Sequence, residues 1–382
     1  MIYLDNAATT KIHPEVLKAM MPYLTEEYGN PGTLYPLGRK AYDAVERARE
    51  QVAEFMGTSD PGKIIFTSGA TEGNNAVFAG MRGYCRKRIA LSISSGYEHD
   101  SVLNAISQYG PYYPSTILPN KQTGTVLPEE LEKQMRGKGV KFGLVSIMAV
   151  NNETGSRNND TGLCKTAHDY GAFFHTDFTQ GAGEYDVEAD KNGFDFVTIS
   201  SHKIHGPKGV GALYVSDSAK EVFKPIIYGG AHQENGWRGG TENVAGIVGF
   251  GKACELAQKQ DREYIKNLHD VFLTAIYSEC VSFSTNFDDP RYSDDKIVNL
   301  HFPGVKNSAL LSACAANGVY ISAGSACTGK ESTPSHVLTA LGMNGKAISE
   351  SVRISFSCMN TTEEIKEAAK IIADCVKSLK NY

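Results

Sequence analysis

A lysine that is to form a Schiff base needs its amine placed and partly deprotonated, and a strand end with polar neighbours can arrange both. Ser200-Ser201-His202-Lys203-Ile204-His205-Gly206-Pro207-Lys208-Gly209 directly follows an apolar run and offers Lys203 for that role. Taken alone, a lysine beside a Gly-Pro turn also describes an ordinary surface lysine. A second segment, His175-Thr176-Asp177-Phe178-Thr179-Gln180, closes another apolar run. Asp177 there suits a pyridinium nitrogen, which a carboxylate keeps protonated by charge pairing, although a carboxylate at a strand end can equally cap the next turn. Thr67-Ser68-Gly69-Ala70-Thr71-Glu72-Gly73-Asn74 follows Ile64-Phe66 and opens a helical pattern. Glycine, hydroxyls and unpaired helix N–H groups suit a phosphate, while a plain N-cap by Ser68 or Thr71 explains the same residues. Together the three strand ends describe one cradle for pyridoxal 5'-phosphate (PLP).

A different kind of chemistry is suggested by Cys327, in Ser322-Ala323-Gly324-Ser325-Ala326-Cys327-Thr328-Gly329-Lys330. Small flexible neighbours in place of an apolar stripe point to an exposed, movable thiol, which suits a nucleophile better than a core filler. The eight cysteines show no Cys-x-x-Cys pair, so neither a zinc site nor a disulfide framework is expected. Cys254, Cys314 and Cys375 lie in helical patterns and read as small buried hydrophobes.

These residues need a scaffold that gathers strand ends. Apolar, β-branched runs at Ile64-Phe66, Arg88-Ser92, Gly143-Val150, Ala172-Asp177, Phe194-Ser200 and Val210-Val215 alternate with helical patterns after Thr71, Asp100 and Thr161 and from Glu242. The alternation predicts an α/β fold with a mainly parallel sheet covered on both faces, whose C-terminal strand ends hold ligands. After about Gln258 the pattern changes to a helix near Arg262-Ser278, strands at Ile297-Phe302, Val319-Ser322 and Val352-Phe356, and a helix from Thr362. This predicts a large domain over 14–258 and a smaller α+β domain formed by 259–382 with residues 1–13.

The 382 residues, 41% hydrophobic, suffice for two such cores. A net charge of −5 gives no basic field for nucleic acid, and the densest basic run, Arg86-Lys87-Arg88, reads as a solvated helix end. No apolar run approaches the roughly 20 residues that span a bilayer, and Met1 to Thr10 lack signal-peptide character, so a cytoplasmic protein is expected.

With these segments in view, the chain resembles the NifS-like cysteine desulfurases, class V aminotransferases within the fold-type I PLP enzymes. The resemblance runs from Tyr3-Leu4-Asp5-Asn6-Ala7-Ala8-Thr9-Thr10 through Gly29-Asn30-Pro31, Val150-Asn151-Asn152-Glu153-Thr154-Gly155 and Arg238-Gly239-Gly240-Thr241-Glu242-Asn243 to Arg353 and Thr361-Thr362-Glu363-Glu364. It implies a seven-stranded sheet in the large domain and, in the smaller one, the loop of the catalytic cysteine. It further implies that Lys203 holds PLP, that His99 stacks on its ring and moves protons, that Asp177 faces the ring nitrogen, and that Gln180 faces the ring hydroxyl. Ala70, Thr71, Ser200 and His202 would bind the phosphate, with Thr241 arriving from the other subunit of a homodimer. Asn152 would contact cofactor and substrate, and Arg353 the substrate carboxylate. The implied reaction is desulfuration of L-cysteine to L-alanine, with sulfur taken up by Cys327 as a persulfide for iron-sulfur or other thio-cofactor synthesis. Selenocysteine lyase is the alternative.

The chain departs from the resemblance at Gly32-Thr33-Leu34-Tyr35 and at Cys358-Met359. Cys358 is read as a buried structural residue, with a redox role as the alternative. The sequence stops at Tyr382 without the longer tail by which some relatives dock an iron-sulfur scaffold, so the acceptor is left open.

Overall fold

The computed structural model describes residues 1–110, 115–117, 119–121, 123–137, 139–230, 232–287, 289–324 and 334–380. A seven-stranded sheet runs in the order Ile64–Thr67, Gly211–Val215, Phe196–Ser200, Phe173–Asp177, Lys141–Ser146, Ala90–Ser95, Ser115–Ile117. Only Gly211–Val215 is antiparallel to its neighbours; the other strands share one direction. Thr67, Ser95, Ser146, Asp177 and Ser200 therefore end on the same edge, where Gly211 begins. With six of its seven strands in one direction the sheet is mainly parallel, as expected, and the reversed Gly211–Val215 makes it mixed. Continuous apolar runs such as Phe196–Ser200 and Gly211–Val215 are buried at every position, as a sheet covered on both faces requires.

Several boundaries move from their sequence positions. The run expected at Arg88-Ser92 starts at Ala90, because the helix Ala70–Arg88 keeps its basic last turn Arg86, Lys87 and Arg88, favourable at the negative end of its dipole, and closes on Ile89 at φ 52°. The run expected to reach Val150 ends as a strand at Ser146, and the chain then bends across the strand ends. Two helices absent from the sequence reading, Pro14–Thr25 and Pro36–Met56, pack against Val244–Gln258. The second is pinned by Arg49, whose Nη1 and Nη2 donate to Glu234 at 2.7 and 2.9 Å with both side chains buried. Glu234 also accepts the Phe66 N–H at 2.8 Å, which ties this helix to the edge strand of the sheet.

Farther along the chain, Ile297–His301 pairs antiparallel with Ser351–Ser355 and with Ser284–Thr285. Helices Arg262–Ser278 and Thr362–Lys380 cover it, and Ile2 and Leu4 join its core beside Phe272, Phe302 and Phe356. The N-terminal strand Ile2–Tyr3 pairs with Val319–Tyr320, which carries the following residues up to Arg353 and Lys203. Val337, Leu338 and Leu341 instead pack into the core of the large sheet. Among the described residues, no helix is long and apolar enough to cross a membrane.

Candidate active site

The shared strand edge opens into a cavity of about 430 Å³. Ala70, Thr71, His99, Asn152, Asp177, Gln180, Ser200, His202, Lys203 and Arg353 all line it. Thr241 does not: it is exposed and lines an adjoining recess of about 150 Å³ that shares Ser68 and Gly209 with the main cavity. Cys327 lies outside the described residues.

Lys203 ends the short helical turn Ser201–Lys203 that follows the strand Phe196–Ser200. Its Nζ donates to the carbonyls of Ala7 and Ala8 at 2.5 and 3.0 Å. Burial above all, then the guanidinium of Arg353 and the ammonium of Lys296, push the amine down to about 7. Lys296 had no sequence signal; it is buried, pairs with Glu184 at 3.2 Å and reaches toward the Lys203 carbonyl. The neighbouring His202 is pushed down to about 4 by burial, Lys203 and Lys208, so its imidazole is neutral, with Nδ1 at 3.1 Å from Thr9 Oγ1.

Part of the cavity wall is built from backbone. The helix Ala70–Arg88 points its N-terminus at the cavity from Gly69, whose φ of 148° favours glycine, and a Cβ on Gly211 would lie 2.8 Å from the Gly69 Cα. Glu72 accepts the Ser68 N–H at 2.8 Å and the Arg238 Nε–H at 3.0 Å, which holds the first turn in place.

Asp177, also on the cavity wall, is buried, and its Oδ1 accepts the Thr179 N–H at 3.1 Å. Its Oδ2 accepts from Asn74 Nδ2 at 2.7 Å, and the same Asn74 nitrogen donates to Ser101 Oγ at 2.8 Å. Ser101 Oγ in turn lies 2.8 Å from Nδ1 of His99, the residue that caps the helix Asp100–Tyr109. Neither Asn74 nor Ser101 carries a local sequence signal for this role. Gln180 Nε2 donates to the Ala7 carbonyl at 2.9 Å.

Arg353, on Ser351–Ser355, enters from the second sheet and is 1% exposed. Nη1 donates to the Asn152 carbonyl at 2.7 Å and Nη2 to Asp5 Oδ1 at 2.6 Å. Among the described residues, four that line the cavity each keep a buried polar atom without a partner: Asn152 Oδ1, Thr179 Oγ1, Gln180 Oε1 and Arg353 Nε. Unsatisfied polar atoms are costly in a folded interior, and four around one cavity mark a place made for a polar ligand. Cys254, Cys314 and Cys375 are buried as expected, but Cys358 is exposed. The reading of Cys358 as a buried residue is thus corrected: it follows the strand Ser351–Ser355 into a surface turn and rims a small recess with Glu184 and Lys296.

The family model for aminotransferase class V matches residues 2–367. A cysteine desulfurase IscS of Methanosarcina thermophila is 36% identical over 385 residues, covering 100% of this chain and 93% of the relative. Among solved structures, a NifS-like protein superposes with a TM-score of 0.88 at 31% identity over 99% of both chains. A structure described as SspA in complex with cysteine gives a TM-score of 0.80 at 31% identity, covering 93% of this chain and 99% of that one. A class V model spanning nearly the whole sequence, with desulfurase relatives of full-length coverage, places the chain in the aminotransferase class V family, among the NifS-like cysteine desulfurases.

Proposed function

We propose that this protein is a PLP-dependent cysteine desulfurase that converts L-cysteine to L-alanine and passes the sulfur to Cys327 as a persulfide. One observation carries the reading: a lysine amine held down to about 7 and a buried aspartate face one cavity whose lining keeps four polar atoms unpartnered among the described residues. These residues fit PLP. Asp177 would take the ring nitrogen, Gln180 Oε1 the ring hydroxyl, and His99 the ring face. The N-terminus at Ala70 and Thr71, with Ser200 and the neutral His202, would take the phosphate, and Lys203 Nζ the aldehyde carbon. PLP bound there supplies an electron sink at the substrate α-carbon.

The protein's own groups do the rest. Arg353 and Asn152 hold the substrate carboxylate, as a guanidinium with a free Nε–H is suited to do. Lys203, with its amine held down to about 7 and therefore partly neutral at that pH, takes the α-proton at Nζ. The Cys327 thiolate attacks the substrate sulfur: a sulfur–sulfur bond forms, the carbon–sulfur bond breaks, and the electron pair stays with the carbon, which is protonated to alanine. His99 and Lys203 are the groups able to return that proton.

Residues 14–258 form the PLP-binding unit in this reading, and 1–13 with 259–382 the smaller one. A homodimer completes the site, with Thr241 of one copy reaching the phosphate of the other. Exposed apolar side chains on the helix Pro14–Thr25 and around the start of Pro36–Met56, namely Leu17, Met21, Leu24, Leu34, Tyr35 and Tyr42, support such an interface. The persulfide would be handed to an acceptor protein such as an iron-sulfur scaffold. The purified protein given L-cysteine and a reducing thiol should release alanine and sulfide in equal amounts; pyruvate and ammonia in place of alanine would refute the reading.

A further inference from the structure

Asp177 and His99 sit on different strand ends, yet two side chains join them without a gap. Asn74, fully buried on the helix Ala70–Arg88, uses both hydrogens of one nitrogen: 2.7 Å to Asp177 Oδ2 and 2.8 Å to Ser101 Oγ. Its orientation is determined chemically, because the flipped amide would set its oxygen against a carboxylate and withdraw both donors. Ser101 Oγ, occupied as an acceptor by Asn74, has its own hydrogen left to give, and His99 Nδ1 lies 2.8 Å away. The Ser101 backbone N–H also points at Nδ1, at 3.2 Å. A ring nitrogen that receives two N–H or O–H donors carries no hydrogen of its own, so the neutral imidazole must bear its proton on Nε2.

We propose that Asn74 and Ser101 are positioning residues that couple Asp177 to His99 and hold His99 in the Nε2-protonated tautomer. His99 then meets the cavity with a donor, and its Nε2 proton is the one it can deliver. Ser101 Oγ accounts for most of this selection, since the backbone contact that would remain without it is the longer of the two. Asn74 acts one step back, by turning the Ser101 hydroxyl toward the ring while it fixes the carboxylate of Asp177. This role rests on the desulfurase reading for its purpose, but the tautomer itself does not depend on a bound cofactor.

The test is nitrogen NMR of the full-length protein labelled at histidine ring nitrogens, with and without PLP, the His99 signals being identified by their loss in His99→Gln. Wild type should show one protonated and one unprotonated hydrogen-bonded nitrogen. Ser101→Ala, which removes a single oxygen, should pull the two toward the averaged position of exchanging tautomers, and Ser101→Thr should restore the pattern. Asn74→Ala should behave as Ser101→Ala. In steady-state assays both alanine variants should lose about ten-fold in kcat, a part of what general acid catalysis contributes, while KM for L-cysteine stays within about two-fold. A wild-type nitrogen pattern in folded Ser101→Ala, or a protonated Nδ1 in wild type, would overturn the proposal. A protein that makes no alanine but shows the expected pattern would overturn the desulfurase reading and leave the tautomer assignment standing.

Discussion

Arg353 donates to Asp5 at 2.6 Å, so the buried cation expected to grip a substrate carboxylate is aimed by a residue at the far N-terminus. With Asp5 gone, the Arg353 guanidinium keeps, among the described residues, the Asn152 carbonyl as its one hydrogen-bond partner. Charged hydrogen bonds are worth about 1.5–3 kcal/mol, so Asp5→Ala should raise KM for L-cysteine about ten-fold or more, with a smaller change in kcat. Steady-state kinetics, with the visible absorbance of bound PLP as a control for intact cofactor binding, measure this. An unchanged KM would separate Asp5 from substrate binding.

Lys203 gives a pH prediction with a definite sign. Burial, Arg353 and Lys296 hold its amine down to about 7 from an ordinary 10.5, so it is protonated below that pH and a free nucleophile above it. The rate at which PLP-free protein takes up PLP should therefore rise with pH through a midpoint near 7. Lys296→Met removes one of the depressing charges and should move the midpoint upward. A wild-type rate still climbing toward pH 10 would contradict the assignment.

Glu98, next to His99, is wholly buried, and burial first, then Asp177 and Asp160, push its carboxyl up to about 8, opposed by hydrogen bonds from Ser95 and the Met148 N–H. Its pKa in the folded protein lies above the ordinary 4.5, so stability present at pH 4.5 and below is lost as pH rises toward 8. Glu98→Gln keeps an oxygen for both donors and cannot ionise. Between pH 5 and pH 8 the variant should lose less Tm than wild type, by a few degrees, in paired thermal melts.

The homodimer and the role of Thr241 can be checked together. Sedimentation should give twice the chain mass, and Thr241→Ala should lower PLP retention on dialysis without changing that mass. A monomer that retains its full complement of PLP would contradict the shared site.

The strand-end residues were legible because a buried strand is a continuous apolar run and the polar residue that stops it is conspicuous; Asp177 and Lys203 were found in this way. The reversal of Gly211–Val215 was not, because this strand is buried at every position like the strands on either side of it and nothing local marks it as reversed. The helices Pro14–Thr25 and Pro36–Met56 passed unread, although each opens with proline at its first position and the second carries an apolar stripe from Ala41 to Met56. Asn74 and Asp5 owe their importance to partners between 27 and 348 residues away, a relation no window of sequence contains. Cys358 shows the opposite error: a small apolar residue was assigned to the interior by type, and the turn after the strand leaves it at the surface.

The central claim is that Cys327 receives the sulfur, and the measurement closest to it is alanine formation from L-cysteine by Cys327→Ser, with mass spectrometry of the wild-type protein for a persulfide on Cys327. A serine hydroxyl is far too weakly acidic to attack sulfur at neutral pH, while the residues lining the cavity are untouched. L-cysteine should still perturb the visible absorbance of PLP bound to the variant, alanine should fall to background, and wild type should carry one extra sulfur atom on Cys327. Wild-type alanine production by Cys327→Ser would contradict the account.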